Sequence, residues 1–253
     1  MTLLMLACTA SGPDSGSDWE LVWRDEFNGT GGVDDANWVH DVGGHGWGNN
    51  QLEFNTDRVD NAEQIDGFLV ITAQREDYDG NAWTSARIKT QDRFEQTNGR
   101  FEARIQLPRG KGFWPAFWML GANIDEVGWP ACGEIDILEA RGNEPYQVNT
   151  ALHGPGYSGG NPVYASLEVD EDITSSSHKY AVEWDDDHIA WFFDDQLVMT
   201  AHPGDTSGPW VYDHDFFLIL NVAVGGVYLD DPDENSPDEA KMYVDYVRVY
   251  ERL

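Results

Sequence analysis

Apolar and polar residues alternate along much of the chain with the period of a strand. Residues 101–107 (FEARIQL) put apolar side chains at every second position, which a strand sends to one face. Residues 178–184, 189–193 and 197–201 read as short strands separated by Asp-rich turns, a meander. Residues 216–224 (FFLILNVAV) are apolar almost throughout and predict a strand central to a sheet. Residues 242–250 (MYVDYVRVY) alternate again. No segment sustains a helical period over ten residues. Many short strands joined by Gly, Asp and Asn turns predict an all-β, antiparallel two-sheet sandwich. The irregular stretches 43–56, 154–166 and 225–240 predict surface loops, and loops this long are often functional.

One apolar run carries unexpected residues. Residues 133–139 read Gly-Glu-Ile-Asp-Ile-Leu-Glu, so Glu134, Asp136 and Glu139 are threaded through Ile135, Ile137 and Leu138. Unpaired acids in a buried strand are expensive, which points to a use for them. In a regular strand Glu134 and Asp136 share a face and Glu139 points away. A bulge between Asp136 and Glu139 adds one residue and returns Glu139 to the first face. The Cα atoms of the two glutamates are then on the order of 13 Å apart. Side chains leaning inward across Asp136 bring the carboxyls to about 5–5.5 Å, the spacing of a retaining glycoside hydrolase. An edge strand with solvated acids is the alternative reading.

Composition narrows the partners. The chain has 253 residues and a net charge of −31. A field of that sign repels nucleic acid and anionic membrane surfaces. The acids are dispersed and lysine is limited to Lys89, Lys111, Lys179 and Lys241, a pattern expected of salt adaptation, where counterions screen self-repulsion. An ordinary acidic secreted enzyme is the alternative. Residues 1–18 read as a lipoprotein-like leader ending at Cys8, followed by a Ser/Gly/Asp-rich tether. On that reading Cys8 is lipidated, Cys132 has no intramolecular partner and no disulfide forms. The domain of interest is 19–253, expected to be monomeric and secreted or held at the cell surface by the lipid.

Trp38, Trp47, Trp83, Trp114, Trp118, Trp129 and Trp210 lie close to Gly, Asn or Pro. Indoles stack on the flat C–H faces of sugars, and they equally fill cores. Trp114 and Trp118 stand at even spacing on one strand face; if that strand neighbours Glu134, both line the same surface. Asn49-Asn50 in a Gly-rich loop presents amides to hydroxyls or forms a turn. His153 reads as a loop histidine that donates to a sugar hydroxyl or to Glu139, or is simply solvated. The other histidines show no spacing suited to zinc.

With these residues in view, the chain from about Trp19 to Tyr250 resembles the laminarinase (endo-β-1,3-glucanase) branch of glycoside hydrolase family 16. The motifs are 23–29 (WRDEFNG), 46–50 (GWGNN), 84–88 (TSARI), 112–121 (GFWPAFWMLG), 128–139 (GWPACGEIDILE), 153–160 (HGPGYSGG), 220–226 (LNVAVGG) and 242–250. The extra residue before Glu139 is similar to the bulged acidic motif of that branch, which the lichenase form lacks. The resemblance implies a concanavalin-like β-jelly-roll with a concave cleft for neutral β-glucan. It implies Glu134 as nucleophile, Glu139 as acid/base and Asp136 between them. It implies sugar contacts from Asn50, Arg87, Trp114, Trp118, Trp129, His153 and Asn221. It implies no catalytic cofactor, and a structural calcium held by Glu26, the Gly67 carbonyl and Asp245, hard oxygen donors that suit that ion. Rival readings are a mixed-linkage β-1,3-1,4-glucan or algal galactan hydrolase, and a β-glucan-binding protein without catalysis. One departure stands out: the family usually continues Asn-Asn-Glu-Leu-Gln-Tyr-Tyr-Thr where this chain has Asn49-Asn50-Gln51-Leu52-Glu53-Phe54-Asn55-Thr56, so acid and amide are exchanged.

Overall fold

The computed structural model describes residues 18–253. The lipid anchor expected at Cys8 and the expected tether, up to residue 17, fall outside them. In chain order the strands are β1 (Trp19–Asp25), β2 (Val39–His40), β3 (Glu53–Asn55), β4 (Ala62–Ile65), β5 (Phe68–Tyr78), β6 (Asn81–Ser85), β7 (Arg87–Lys89), β8 (Gly99–Gln106) and β9 (Phe113–Gly121). There follow β10 (Glu134–Glu139), β11 (Gln147–His153), β12 (Val163–Glu168), β13 (His178–Trp184), β14 (Ile189–Phe193), β15 (Gln196–Ala201), β16 (Phe216–Val224) and β17 (Glu239–Arg252). The one α-helix among the described residues is the single turn Ile124–Val127.

Two sheets form a β-jelly-roll sandwich. The ten-stranded sheet runs β15-β14-β13-β8-β17-β5-β6-β3, with β1 on β17 and β4 on β5. The seven-stranded sheet runs β12-β11-β10-β9-β16-β7-β2. All pairings are antiparallel except β3 with β6. The meander of the sequence pattern is β13-β14-β15, and 216–224 is β16, central in its sheet and buried throughout.

The core lies between the sheets. Phe101, Ala103 and Ile105 of β8 and Leu69, Ile71 and Ala73 of β5 meet Phe117 and Met119 of β9 and Leu218, Leu220 and Val222 of β16. Burying each large side chain contributes about 1.5–3 kcal/mol. A smaller cluster of Leu120, Cys132, Phe217 and Ile219 lies on the other face of the seven-stranded sheet, with Trp118 against it. Cys132 is a free, buried thiol.

Two predicted loops contain strand. The 43–56 stretch includes β3, where Glu53 and Asn55 point inward and are buried, so no apolar alternation marked it. The 154–166 stretch runs into β12, an edge strand whose alternating exposure left only a weak apolar signal. The 225–240 stretch is irregular up to the start of β17 at Glu239.

Candidate active site

The acidic strand β10 lies between β9 and β11, and its bulge is where the sequence pattern puts it. Asp136 opposes Trp118 on β9, yet Leu138 opposes Phe117, so Ile137 is the extra residue. The β11 register breaks at the same place, between Asp136 and Glu139. Ile135, Ile137 and Leu138 all enter the core between the sheets. Two successive residues therefore face inward, and Glu134, Asp136 and Glu139 all leave by the opposite face.

Each carboxyl has its own neighbours. Trp129 Nε1 donates to Glu134 Oε2 at 2.8 Å. Trp114 Nε1 donates to Glu139 Oε1 at 3.0 Å. Asp136 is buried and within hydrogen-bonding reach of Glu134. His153 Nε2 is 3.2 Å from Asp136 Oδ2, off line for a hydrogen bond, and 3.7 Å from Glu134 Oε1. Desolvation by burial pushes all three acids up to about 8. Mutual repulsion adds to the rise at Glu134 and Glu139, while His153 and the indole donors oppose it. Three such acids cannot all be charged in one small volume, so the cluster retains protons near neutrality. Asp136 is the most deeply buried of the three and is the natural holder of one.

The surrounding wall is aromatic. Trp114 and Trp118 lie on the strand beside β10, on the same face as the acids. Trp118 Nε1 donates to Asn221 Oδ1 at 2.7 Å. Asn221 opposes Ala116 on β9 and Arg87 on β7, so it belongs to this face. The Arg87 guanidinium lies between two indoles, 4.7 Å from Trp118 and 5.0 Å from Trp47. It pairs with Asp41 at 2.9 Å, so it orders the two tryptophans as well as lining the site. Trp129 is half exposed beside Glu134. Asn50 is an exposed residue with φ 56 in the 46–50 turn, and that turn is tied to the end of β16 by the Leu52 N–H to Val224 and the Val227 N–H to Asn49.

One expectation needs correction. His153 is not a loop histidine: it ends β11, directly opposite Glu134, and is 9 % exposed. Its neighbours are Asp136 and Glu134, not Glu139, because β11 carries it to the far end of the acidic strand. Two of the three ligands expected for calcium, Glu26 and Asp245, are ion-paired in this structure. Both Glu26 oxygens accept from Arg248, at 2.8 and 2.9 Å, and Asp245 accepts from Arg104 at 2.7 Å. This donor set reads as two ion pairs, and calcium would have to displace Arg248 from Glu26.

Two other groups have metal-like spacing: Glu134, Asp136 and His153, and on the other sheet Glu171, His178 and Asp194, each with ligand atoms within 4.8 Å of one another. The first is explained by acid–base chemistry. In the second, His178 already bonds Asp194 and Ser176.

Sequence reasoning missed three neighbours of the site. Tyr228 stacks on Trp114 with ring centres 4.6 Å apart, and Arg141 covers its other contact at 4.2 Å. The length of the 225–240 loop was the available signal, but it singled out no residue. Glu53, fully buried in β3, bonds the Val224 N–H at 2.8 Å, and burial pushes its pKa up to about 8. The exchanged acid at this position was its mark in the sequence.

Comparison with known proteins gives a consistent answer. Residues 43–248 match the family model for glycosyl hydrolases family 16. The chain is 40 % identical over 265 residues to a beta-glucanase of Rhodothermus marinus, spanning 98 % of this chain and 91 % of that protein. It is 40 % identical over 237 residues to a glucan endo-1,3-beta-glucosidase of Cryptopygus antarcticus, spanning 86 % of each. Among solved structures it is similar to the laminarinase catalytic domain of Thermotoga maritima, with a TM-score of 0.89 and 44 % identity over 94 % of this chain and all of that one.

Proposed function

Because the chain belongs to glycoside hydrolase family 16, we propose that it is an endo-acting, retaining hydrolase of β-1,3-glucan of the laminarin type. The observation that carries the mechanism is the bulge at Ile137, which turns Glu134, Asp136 and Glu139 to one face. Glu134 attacks the anomeric carbon while Glu139 gives its proton to the leaving oxygen. Water then opens the glycosyl-enzyme, with Glu139 as base, and the anomeric configuration is retained.

The two roles need opposite starting charges. The Trp129 N–H favours the anion at Glu134, as does a proton kept on the more deeply buried Asp136. Burial and the nearby acids favour the proton at Glu139. Trp118, Trp114 and Trp129 offer stacking surface, and Asn221, Asn50 and His153 offer polar contacts to sugar hydroxyls. A neutral glucan suits a site within a −31 field, whereas a sulfated one is repelled.

Several wider properties belong to the same proposal. The acidic surplus is salt adaptation, the chain is a secreted or surface-held monomer, Cys8 is its lipid anchor, and any calcium is structural. No step of the reaction needs a metal. The test is a substrate panel of laminarin, lichenan and agarose, with product sizing and NMR of the first-formed anomer. Mixed internal fragments of β configuration from laminarin are expected. Cleavage of agarose or lichenan alone, or α-configured first products, would sink the proposal.

A further inference from the structure

The loop after β16 brings a phenol that no motif assigned against the indole that holds the acid/base. The Tyr228 ring lies against Trp114, at 4.6 Å and 32°, and Trp114 is the residue whose N–H holds Glu139. Its other contact is Arg141, two residues beyond Glu139, whose guanidinium lies 4.2 Å from the ring centre. Arg141 Nε also donates to the Tyr228 carbonyl at 3.1 Å, which fixes the backbone. Of these two ring contacts, Trp114 bonds Glu139 and Arg141 acts on it through its charge. The Tyr228 hydroxyl is nevertheless buried with no hydrogen-bond partner. Tyr164, the phenol nearby, already donates to Asn149. A buried orphan hydroxyl calls for a partner that arrives during the working cycle.

Resting on the hydrolase reading above, we propose that Tyr228 is a positioning residue for the acid/base: its hydroxyl donates to the Glu139 carboxylate once that group has given up its proton. No bond to the tyrosine is made or broken. The proton leaves Glu139 for the glycosidic oxygen, the carboxylate accepts the phenolic O–H, and the contact is released when Glu139 takes a proton back from water. After burial, the Glu139 charge is the leading cause of the upward shift at the Tyr228 phenol, so the phenol stays a donor throughout. The groups that act on Glu139 are otherwise Asp136 and Glu134 on its own strand, the more distant charges of His153 from β11 and of Arg141, and the Trp114 N–H from β9. Two acids oppose its ionisation; His153, Arg141 and Trp114 favour it. Tyr228 adds a neutral donor on the favouring side.

The test is the pH profile of kcat/KM on a β-1,3-glucan oligosaccharide for the wild type and Tyr228→Phe. Losing a donor to the anion raises the Glu139 pKa, so the alkaline limb is expected to move up by about one pH unit, with kcat about tenfold lower. The loss in kcat is expected to shrink on aryl glycosides as the leaving group becomes more acidic and needs less protonation. Tyr228→Met, which keeps apolar packing without the hydroxyl, is expected to move the same limb if the Phe variant fails to fold. An unmoved limb, with an equal rate loss for every leaving group, means the ring only supports Trp114 and overturns the proposal. A wild type inert on every glucan removes the hydrolase reading itself, a different result from an active wild type with an unmoved limb.

Discussion

The two sheets treat the acids on their outer faces in opposite ways. On the ten-stranded sheet, β8 sends Phe101, Ala103 and Ile105 to the core and Arg100, Glu102 and Arg104 outward. There a group of acids meets arginines: Arg100 with Glu102 at 2.6 Å and with Glu183 at 2.8 Å, Arg104 with Asp245, Arg248 with Glu26. The Arg248 hydrogen bonds hold Glu26 below its ordinary value. On the seven-stranded sheet Glu134, Asp136 and Glu139 sit among indoles and one histidine, and burial lifts all three. A buried acid with a matching cation is fixed as an anion and does structural work. A buried acid without one keeps its proton within reach of neutral pH, which is what proton transfer requires.

The largest expected effect comes from breaking the unpaired side. Glu134→Gln is expected to lower turnover by several orders of magnitude while oligosaccharide affinity, measured by calorimetry, stays close to wild type. Comparable turnover in that variant would remove Glu134 as nucleophile. Asp136→Asn keeps the shape and the burial but changes the proton inventory around Glu134. A loss of about 10–100-fold in kcat is expected, the worth of one hydrogen bond to a charged group, read from steady-state rates on laminarin.

Much of this contrast was legible in the sequence, for a physical reason. Acids interrupting an apolar run are a conflict between burial and charge, and the Ile137-Leu138 pair gave the bulge that resolves it. β13, β14 and β16 were equally plain, because alternation or continuous apolarity sets them directly. His153 was misplaced because a Gly-rich run follows it, and sequence does not show that β11 extends to its last residue. Tyr228 and the pairing of Glu26 with Arg248 were invisible for a different reason. Both join residues far apart in the chain, and neither strand register nor loop course can be read from composition.

Glu53 tests the comparison away from the catalytic strand. It is fully buried and forms no ion pair, with only the charge of Arg87 acting on it at a distance, so it belongs with the unpaired acids although it lies on the other sheet. Its folded pKa of about 8 lies above the ordinary 4.5. The folded state therefore holds a proton that the unfolded chain releases, and its contribution to stability is lost as pH rises from about 4.5 through about 8. Glu53→Gln carries no titration and keeps an acceptor for the Val224 N–H. Asn55 Nδ2 now donates to Glu53 Oε1 at 3.4 Å, and turning the Asn55 amide over lets its Oδ1, a buried acceptor without a partner, accept from the new amide. The variant is expected to match wild type at pH 4 and to gain on the order of 2–4 °C in Tm at pH 8. A constant offset in Tm across that range would mean that Glu53 does not titrate on folding.

Arg248→Ala gives the smallest effect, and its sign with pH is the opposite one. Glu26 is partly exposed and Arg248 less so, with side chains 26 % and 16 % accessible, so solvent screening reduces the pair to below about 1 kcal/mol. A loss of roughly 1–3 °C in Tm is expected at neutral pH, with glucan turnover unchanged because the pair lies on the other sheet. Glu26 has a depressed folded pKa, so its contribution is present above the ordinary carboxylate range and lost as pH falls through the lower folded value. The gap between wild type and Arg248→Ala should therefore close on acidification, while the gap between Glu53→Gln and wild type should open toward alkaline pH. Differential scanning calorimetry of the three proteins at pH 3, 6 and 8 reads both slopes. Relative to wild type, the Tm of Arg248→Ala should fall and that of Glu53→Gln should rise as pH increases; changes in the same direction for both variants would mean that pairing with arginine is not what separates the two classes of acid.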